Sequence, residues 1–146
     1  YPPKENRASV DDEHMTETFH PLETKDNNPK SRLGDLKVPL HLVPAASEVW
    51  MALGLKHGAE KYGAFNWRNE KISATTYIGA VRRHFNAWIE GQDIDPDSAL
   101  PHIVLIMANA AILQDATDLG MLIDDRPPPG KAVELMKNYN REKHDG

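Results

Sequence analysis

Pro101-His102-Ile103-Val104-Leu105-Ile106-Met107-Ala108-Asn109-Ala110-Ala111-Ile112-Leu113 is apolar throughout except at His102 and Asn109. Its pattern predicts a helix from near Asp97-Ser98 to about Leu119, stopped by Gly120. Pro101 is tolerated near the start because first-turn N–H groups have no partner inside the helix. A helix apolar nearly all round is buried on every side. Two further helices of one domain do not cover such a surface, so a dimer or larger homo-oligomer is expected. Two polar residues interrupt the run: His102 and Asn109 share one face about 10.8 Å apart in rise, too far for an easy direct bond. Each needs another partner, because an unpaired buried polar group costs a few kcal/mol, roughly. His57, Glu60, His84 or a ligand can supply it.

Working outward, a second helix is predicted from the cap Ser73 to Glu90, with Gly91 as its stop. Ile78, Val81, Phe85, Trp88 and Ile89 form its core stripe, with His84 on the flank beside Tyr77 and Trp88. Arg82 and Arg83 point away from the stripe's centre. Asp93, Asp95 and Asp97 lie in the loop that follows. Carboxylates so close together suit a hard cation; Asp97 or Ser98 equally suits the cap of the next helix. The loop lacks the spacing of an EF-hand.

The earliest of the three helices runs from about Pro44 to Glu60 or Tyr62 and ends at Gly63, with Val49, Trp50, Leu53, His57 and Glu60 on one face. Directly after it comes Lys61-Tyr62-Gly63-Ala64-Phe65-Asn66-Trp67-Arg68. Aromatic faces stack on a base and Lys or Arg neutralises phosphate, so the segment holds useful parts for a nucleotide. It also suits a helix cap in which Tyr and Trp plug the edge of the core.

The ends are different in character. Residues 1–35 are polar and aperiodic and read as a flexible arm. Leu36 to Val43 alternates around Pro39 and reads as an extended segment or short edge strand opening the helical domain, residues 36–123. Asp124 to Gly130 reads as a rigid Pro-rich linker, and residues 131–143 as a short amphipathic helix, making 124–146 a third segment.

Composition sets the bounds. The chain has 146 residues, enough for one ordinary domain, and no cysteine. A disulfide scaffold, a thiolate zinc site and a cysteine nucleophile are excluded. The lack of cysteine fits a reducing compartment such as the cytoplasm. No apolar run approaches the ~20 residues that cross a bilayer, and no signal-peptide pattern opens the sequence, so no membrane partner is expected. A formal charge of −5 argues against general nucleic-acid binding.

Several motifs in fixed order carry a family resemblance. Pro-Leu-His-Leu-Val-Pro (39–44), Gly-Ala-Glu-Lys-Tyr-Gly (58–63), Asn-Trp-Arg (66–68), Arg-His (83–84), Ala-Trp (87–88), Asp-Ile-Asp-Pro-Asp-Ser (93–98), His102 and Ile-Asp-Asp-Arg-Pro (123–127) together resemble the phage and prophage dATP/dGTP diphosphohydrolase N-terminal domain. That family is associated with MazG-type nucleotide pyrophosphohydrolases. The resemblance implies an all-α four-helix core, magnesium or manganese, and hydrolysis of a dNTP to dNMP and pyrophosphate. On this reading Lys61 and Arg68 hold phosphates and Trp67 or Tyr62 contacts the base. Asn66, Arg83 and Asn109 complete the substrate site. His84 and His102 position water or metal as the catalytic pair, and Glu60 and Asp97 complete the metal shell. Two features depart from the family pattern: the three helices contain no Glu-x-x-Glu, and Leu105 stands where relatives often carry a second histidine. A nucleotide-sequestering protein without catalysis and a helical assembly protein without ligand are the alternatives.

The fold expected is therefore all-α, a three- to four-helix core completed by oligomerisation, with an extended N-terminal arm and a Pro-rich linker to a short C-terminal helix. Sedimentation at micromolar concentration should give at least twice the 16.4 kDa chain mass. A clean monomer would contradict the oligomer.

Overall fold

The computed structural model describes residues 26–142. The chain divides between Leu42 and Val43 into two units. In the first, α1 (Pro29–Gly34) opens with the Asn28 side chain accepting the Lys30 N–H and with Pro29 in the first turn. A 3₁₀ turn covers Leu40–Leu42. These elements correct two expectations. Of the polar arm, residues 1–25 lie outside the described residues, but 29–34 are helical. The segment expected to be extended bends instead: the Leu42 N–H reaches the Pro39 carbonyl at 3.0 Å and the Leu40 N–H the Val38 carbonyl at 2.9 Å. Pro39 has no N–H for a ladder, and local turn bonds replace one.

The second unit is built from helices: α2 (Ala45–Tyr62), the short α3 (Asn66–Asn69), α4 (Ala74–Ile89), α5 (His102–Asp118) and α6 (Ala132–Glu142). Two short strands, β1 (Ile72–Ser73) and β2 (Leu122–Ile123), pair in parallel with Ile72 opposite Leu122. The architecture is all-α, as the periodicity implied. No helix among the described residues is long and apolar enough to cross a membrane.

The helix ends follow the expected chemistry in most places. α2 starts after Pro44 and stops where Gly63 takes φ 88°, a left-handed value that a side chain would strain. There are two exceptions: Ser73 takes the N-cap position of α4 without a side-chain cap bond, and α5 begins at His102 and not near Asp97. Ala99 adopts φ 58°, and residues 95–100 close into a loop held by Asp95 N–H to Leu100 O and Ala99 N–H to Asp95 O, each 2.9 Å. Asp97 and Ser98 therefore belong to this loop and cap nothing on α5.

α5 is the shared wall. Its most extensive contact is with α4, and the next is with α2. α4 and α5 are antiparallel: the end of α4 meets the start of α5 at His84 and His102, while β1 before α4 pairs with β2 after α5. Val104, Leu105, Ala108 and Ala116 are buried, and Trp67, Ile72 and Ala116 form a core cluster joined by Leu55, Tyr77, Ile112, Met121 and Leu122. α2 approaches α5 through Gly54, where a side chain's first carbon would lie 3.0 Å from the Ala108 Cβ and 3.2 Å from a Val104 methyl.

This approach sets which face of α2 is inside, and the expected stripe is not that face. Val49, Trp50 and Leu53 are exposed, as are Phe85, Trp88 and Ile89 on α4 and Ile103 on α5. α5 is thus not enclosed on every side within one chain. The small residues of α2 permit the closest contact, and dispersion favours the closest packing over the largest apolar side chains.

The linker after β2 is also tied down. Asp125 accepts hydrogen bonds from the Ser73 hydroxyl, the Thr75 hydroxyl (2.5 Å) and the Thr75 N–H (2.8 Å). A carboxylate from a residue 50 positions away thereby caps the start of α4. The Ser73 hydroxyl and then the Thr75 groups lower its pKa from 3.8 to about 2.

Two outcomes follow from this packing. Gly54→Leu should overpack the α2–α5 contact and cost about 1–3 kcal/mol, read as a fall in Tm. Because the Asp125 pKa is depressed in the folded state, its contribution is complete above the ordinary value and is lost as pH falls toward about 2. The Tm gap between wild type and Asp125→Asn, measured across that range, should shrink as the solution is acidified.

Candidate functional site

Because α2 and α4 each pack on α5, a cleft of about 550 Å³ opens between them with α5 as its floor. Gly54 and Ala108 keep the floor low, and Leu105, Asn109 and Ile112 line it. From α2 come His57, Lys61 and Tyr62; from α4 come Tyr77, Arg83 and His84. Asn66 and Trp67 reach in from α3, and Asp95 and Asp97 from the loop before α5. The volume is that of an ordinary small-molecule site.

At one end the helical hairpin joins two imidazoles. His84 Nδ1 lies 2.8 Å from His102 Nδ1, and His102 Nε2 lies 2.8 Å from Gln92 Oε1. Gln92 Oε1 can only accept, so His102 Nε2 carries a proton, and in the neutral ring Nδ1 presents a lone pair. His102 is only 3% exposed, and its own backbone N–H donates to the Asp93 carbonyl. Asp95 stands beside the pair. Its Oδ2 accepts the Ser98 N–H at 3.0 Å and the Ser98 hydroxyl at 2.6 Å. Burial works to raise the Asp95 carboxyl, but the Ser98 bonds and the nearby His84 outweigh it and hold it below the usual carboxylate range. Burial lowers the His84 pKa, opposed by Asp95 and aided by His102 and Arg83.

The cationic groups differ in availability. Lys61 Nζ donates to Asp97 Oδ2 at 2.9 Å, which raises the lysine pKa. Arg83 lines the cleft and makes no ion pair among the described residues. Its guanidinium folds back over Gly79, where a Cβ would lie 3.1 Å from it. Arg68 is committed elsewhere: its Nε and a terminal nitrogen donate to the two Asp115 oxygens at 2.8 and 3.0 Å, and it lies 4.7 Å from the Phe65 ring centre. Trp67 is buried and donates its Nε1–H to the same Asp115 at 2.6 Å. Asp115 thus pins the Asn-Trp-Arg segment to α5.

Most of the residues singled out from sequence converge on this cleft. Lys61, Tyr62, Asn66, Trp67, Arg83, His84, Asp97 and Asn109 line it, and His102 stands behind His84. Two do not. Arg68 lies on the Asp115 side of α3, and Glu60 is exposed at 3.8 Å from Lys56, on its own helix. Asn109 finds its partner within α5, donating to the Leu105 carbonyl at 2.8 Å, so neither α2 nor α4 is needed for that group. Asp95 and Gln92 were not distinguished from their neighbours by sequence. The Asp-x-Asp-x-Asp run flags the loop, but only its folded turn shows which carboxylate faces the histidines.

Magnesium, implied by the family resemblance, prefers an octahedral shell of oxygens. The cluster of His84, His102 and Asp95 offers two imidazoles and one carboxylate, with Asp97 held by Lys61 and Glu60 outside the lining. This donor set does not fit magnesium as a resident ion.

Fold and site together define an all-α protein with a largely apolar cleft that carries a histidine–aspartate cluster at one end. Residues 27–126 match the family described as dATP/dGTP diphosphohydrolase, N-terminal, and the chain belongs to that family. No curated protein and no solved structure matches the chain.

Proposed function

We propose that the chain hydrolyses a purine deoxynucleoside triphosphate at the α–β phosphate bond, releasing the monophosphate and pyrophosphate. The observation that carries this reading is the cleft, which joins the Arg83 guanidinium, without an ion pair among the described residues, the Tyr62 and Tyr77 rings and the half-buried His84, in a member of a family named for dATP/dGTP diphosphohydrolase activity.

Each group has work suited to its chemistry. Arg83 offers a planar, permanent cation to the phosphates. Lys61 adds a second cation once phosphate oxygens compete with Asp97 for it. The Tyr62 and Tyr77 faces take the base by stacking, and the Asn66 and Asn109 amides read polar edges of base or sugar. His84 and Asp95 line the cleft and orient a water toward phosphorus. That water's oxygen bonds to phosphorus as the bridging P–O bond breaks, pyrophosphate carries away the bond's electron pair, and the water's proton passes to solvent. Any magnesium arrives with the triphosphate, whose oxygens supply the ligands the chain lacks.

The scarcity of carboxylates in the cleft favours one second reading, a protein that holds a nucleotide without cleaving it. Incubating the full chain with each of the four dNTPs and magnesium or manganese, with pyrophosphate as the readout, separates the two. Hydrolysis should favour dATP and dGTP, and Arg83→Ala should lower kcat/KM at least about tenfold, equivalent to about 1.4 kcal/mol of lost phosphate binding. A thermal shift with purine dNTPs but no pyrophosphate selects the binder. If pyrophosphate release and thermal shift are both absent, the cleft is not a nucleotide site.

A further inference from the structure

We infer that His84, Asp95 and His102 form a binding site for one divalent first-row transition ion of the zinc class, with its remaining coordination positions open to the cleft. One ligand atom from each residue lies within 4.8 Å of the other two. The inference does not rest on nucleotide hydrolysis, and it addresses the mismatch between this donor set and magnesium.

The first argument is donor chemistry. Imidazole nitrogen suits zinc, iron, nickel and copper, while magnesium takes oxygen and keeps its waters. Two imidazoles and a carboxylate, with a further position left for water or substrate, is the composition of several catalytic zinc sites. His84 and Asp95 line the cleft, so an ion held by them faces its open space.

The second argument is spacing. At a metal–nitrogen distance of about 2.1 Å, adjacent ligands on one ion lie about 3.0 Å apart in octahedral and about 3.4 Å apart in tetrahedral geometry. The two Nδ1 atoms are already 2.8 Å apart. Two lone pairs do not approach so closely without something shared between them. With the His102 proton fixed on Nε2 by Gln92, the shared object here is a proton on His84 Nδ1. A cation can occupy the same place after that proton leaves to solvent, at the expense of a few tenths of an ångström.

The third argument is preparation of the ligands. A metal-binding histidine ordinarily donates its other ring N–H to an acceptor that fixes its tautomer. Gln92 does this for the buried His102, at 2.8 Å. Ser98 grips Asp95 through both its N–H and its hydroxyl, which holds the carboxylate beside the rings. A hydrogen-bonded histidine pair needs no third ligand; an ion uses the fixed Asp95 carboxylate as one.

The test is direct binding by the full chain, stripped with chelator, using Zn²⁺ in calorimetry and Co²⁺ in absorption spectroscopy. One ion per chain should bind, Co²⁺ should show the intense visible bands of a low-coordinate nitrogen–oxygen site, and millimolar Mg²⁺ should not displace either ion. Asp95→Asn and His84→Gln should each weaken binding at least tenfold. Gln92→Leu, which alters a positioning residue and no ligand, should weaken it about 10–100-fold. Helix content by circular dichroism confirms that each variant is folded, and Asp95→Asn serves should His84→Gln fail to fold. No stoichiometric Zn²⁺ or Co²⁺ binding by the folded wild type overturns the inference. So does binding unchanged in folded Asp95→Asn, which would place the ion at other histidines, or displacement by Mg²⁺.

Discussion

The cleft of the second unit depends on how closely α2 can approach α5. Gly54 meets Ala108 and Val104 with no room for even a methyl group at ordinary contact distance. Such an approach brings two helix backbones together, and it gains dispersion over the whole contact. It also decides the rotation of α2 about its own axis. With Gly54 inward, Leu55 joins the core around Trp67 and Ala116, and His57, Lys61 and Tyr62 line the cleft. The cost is that Val49, Trp50 and Leu53 are left toward solvent in the single chain.

The polar anchors then work at a distance from one another. Asp115, on the last turns of α5, collects the Trp67 indole and the Arg68 guanidinium and so fixes the wall after α2. Asp125 reaches the start of α4 and ties the chain beyond β2 to it. Asp95 folds its own loop and stands beside His84 and His102. All three carboxylates have lowered pKa values, Asp115 chiefly through Arg68, Asp125 through Ser73, and Asp95 through Ser98 despite burial. They stay ionised while serving as acceptors for several donors each, which is what makes such bonds strong.

Much of the cleft's membership was legible because helices convert spacing into shared faces. His84 on the flank of its stripe, and His102 interrupting an apolar run, are anomalies that periodicity exposes. Their meeting follows from the antiparallel hairpin that Gly91 and the aspartate loop allow. Arg68 and Glu60 were less legible. Adjacent residues on a tight turn or a helix end point in different directions, and composition alone does not say which one faces the ligand. Asn109 shows a related limit: a buried amide can be satisfied by its own helix four residues back, so polarity in an apolar run does not by itself require a distant partner.

The all-α architecture and the ends of α2 and α4 could be read from the residues alone, as could the gathering of polar side chains between His57 and Asn109. These depend on local propensities, caps and periodicity, which are written within a few turns of chain. Only the tertiary structure decided which aspartate of three joins the histidines, that Arg68 and Trp67 serve Asp115, that Asp125 caps α4, and that β1 pairs with β2. Those contacts join residues far apart in sequence. They are set by the approach of α2 and α4 to α5, a packing minimum that no local pattern of side chains specifies.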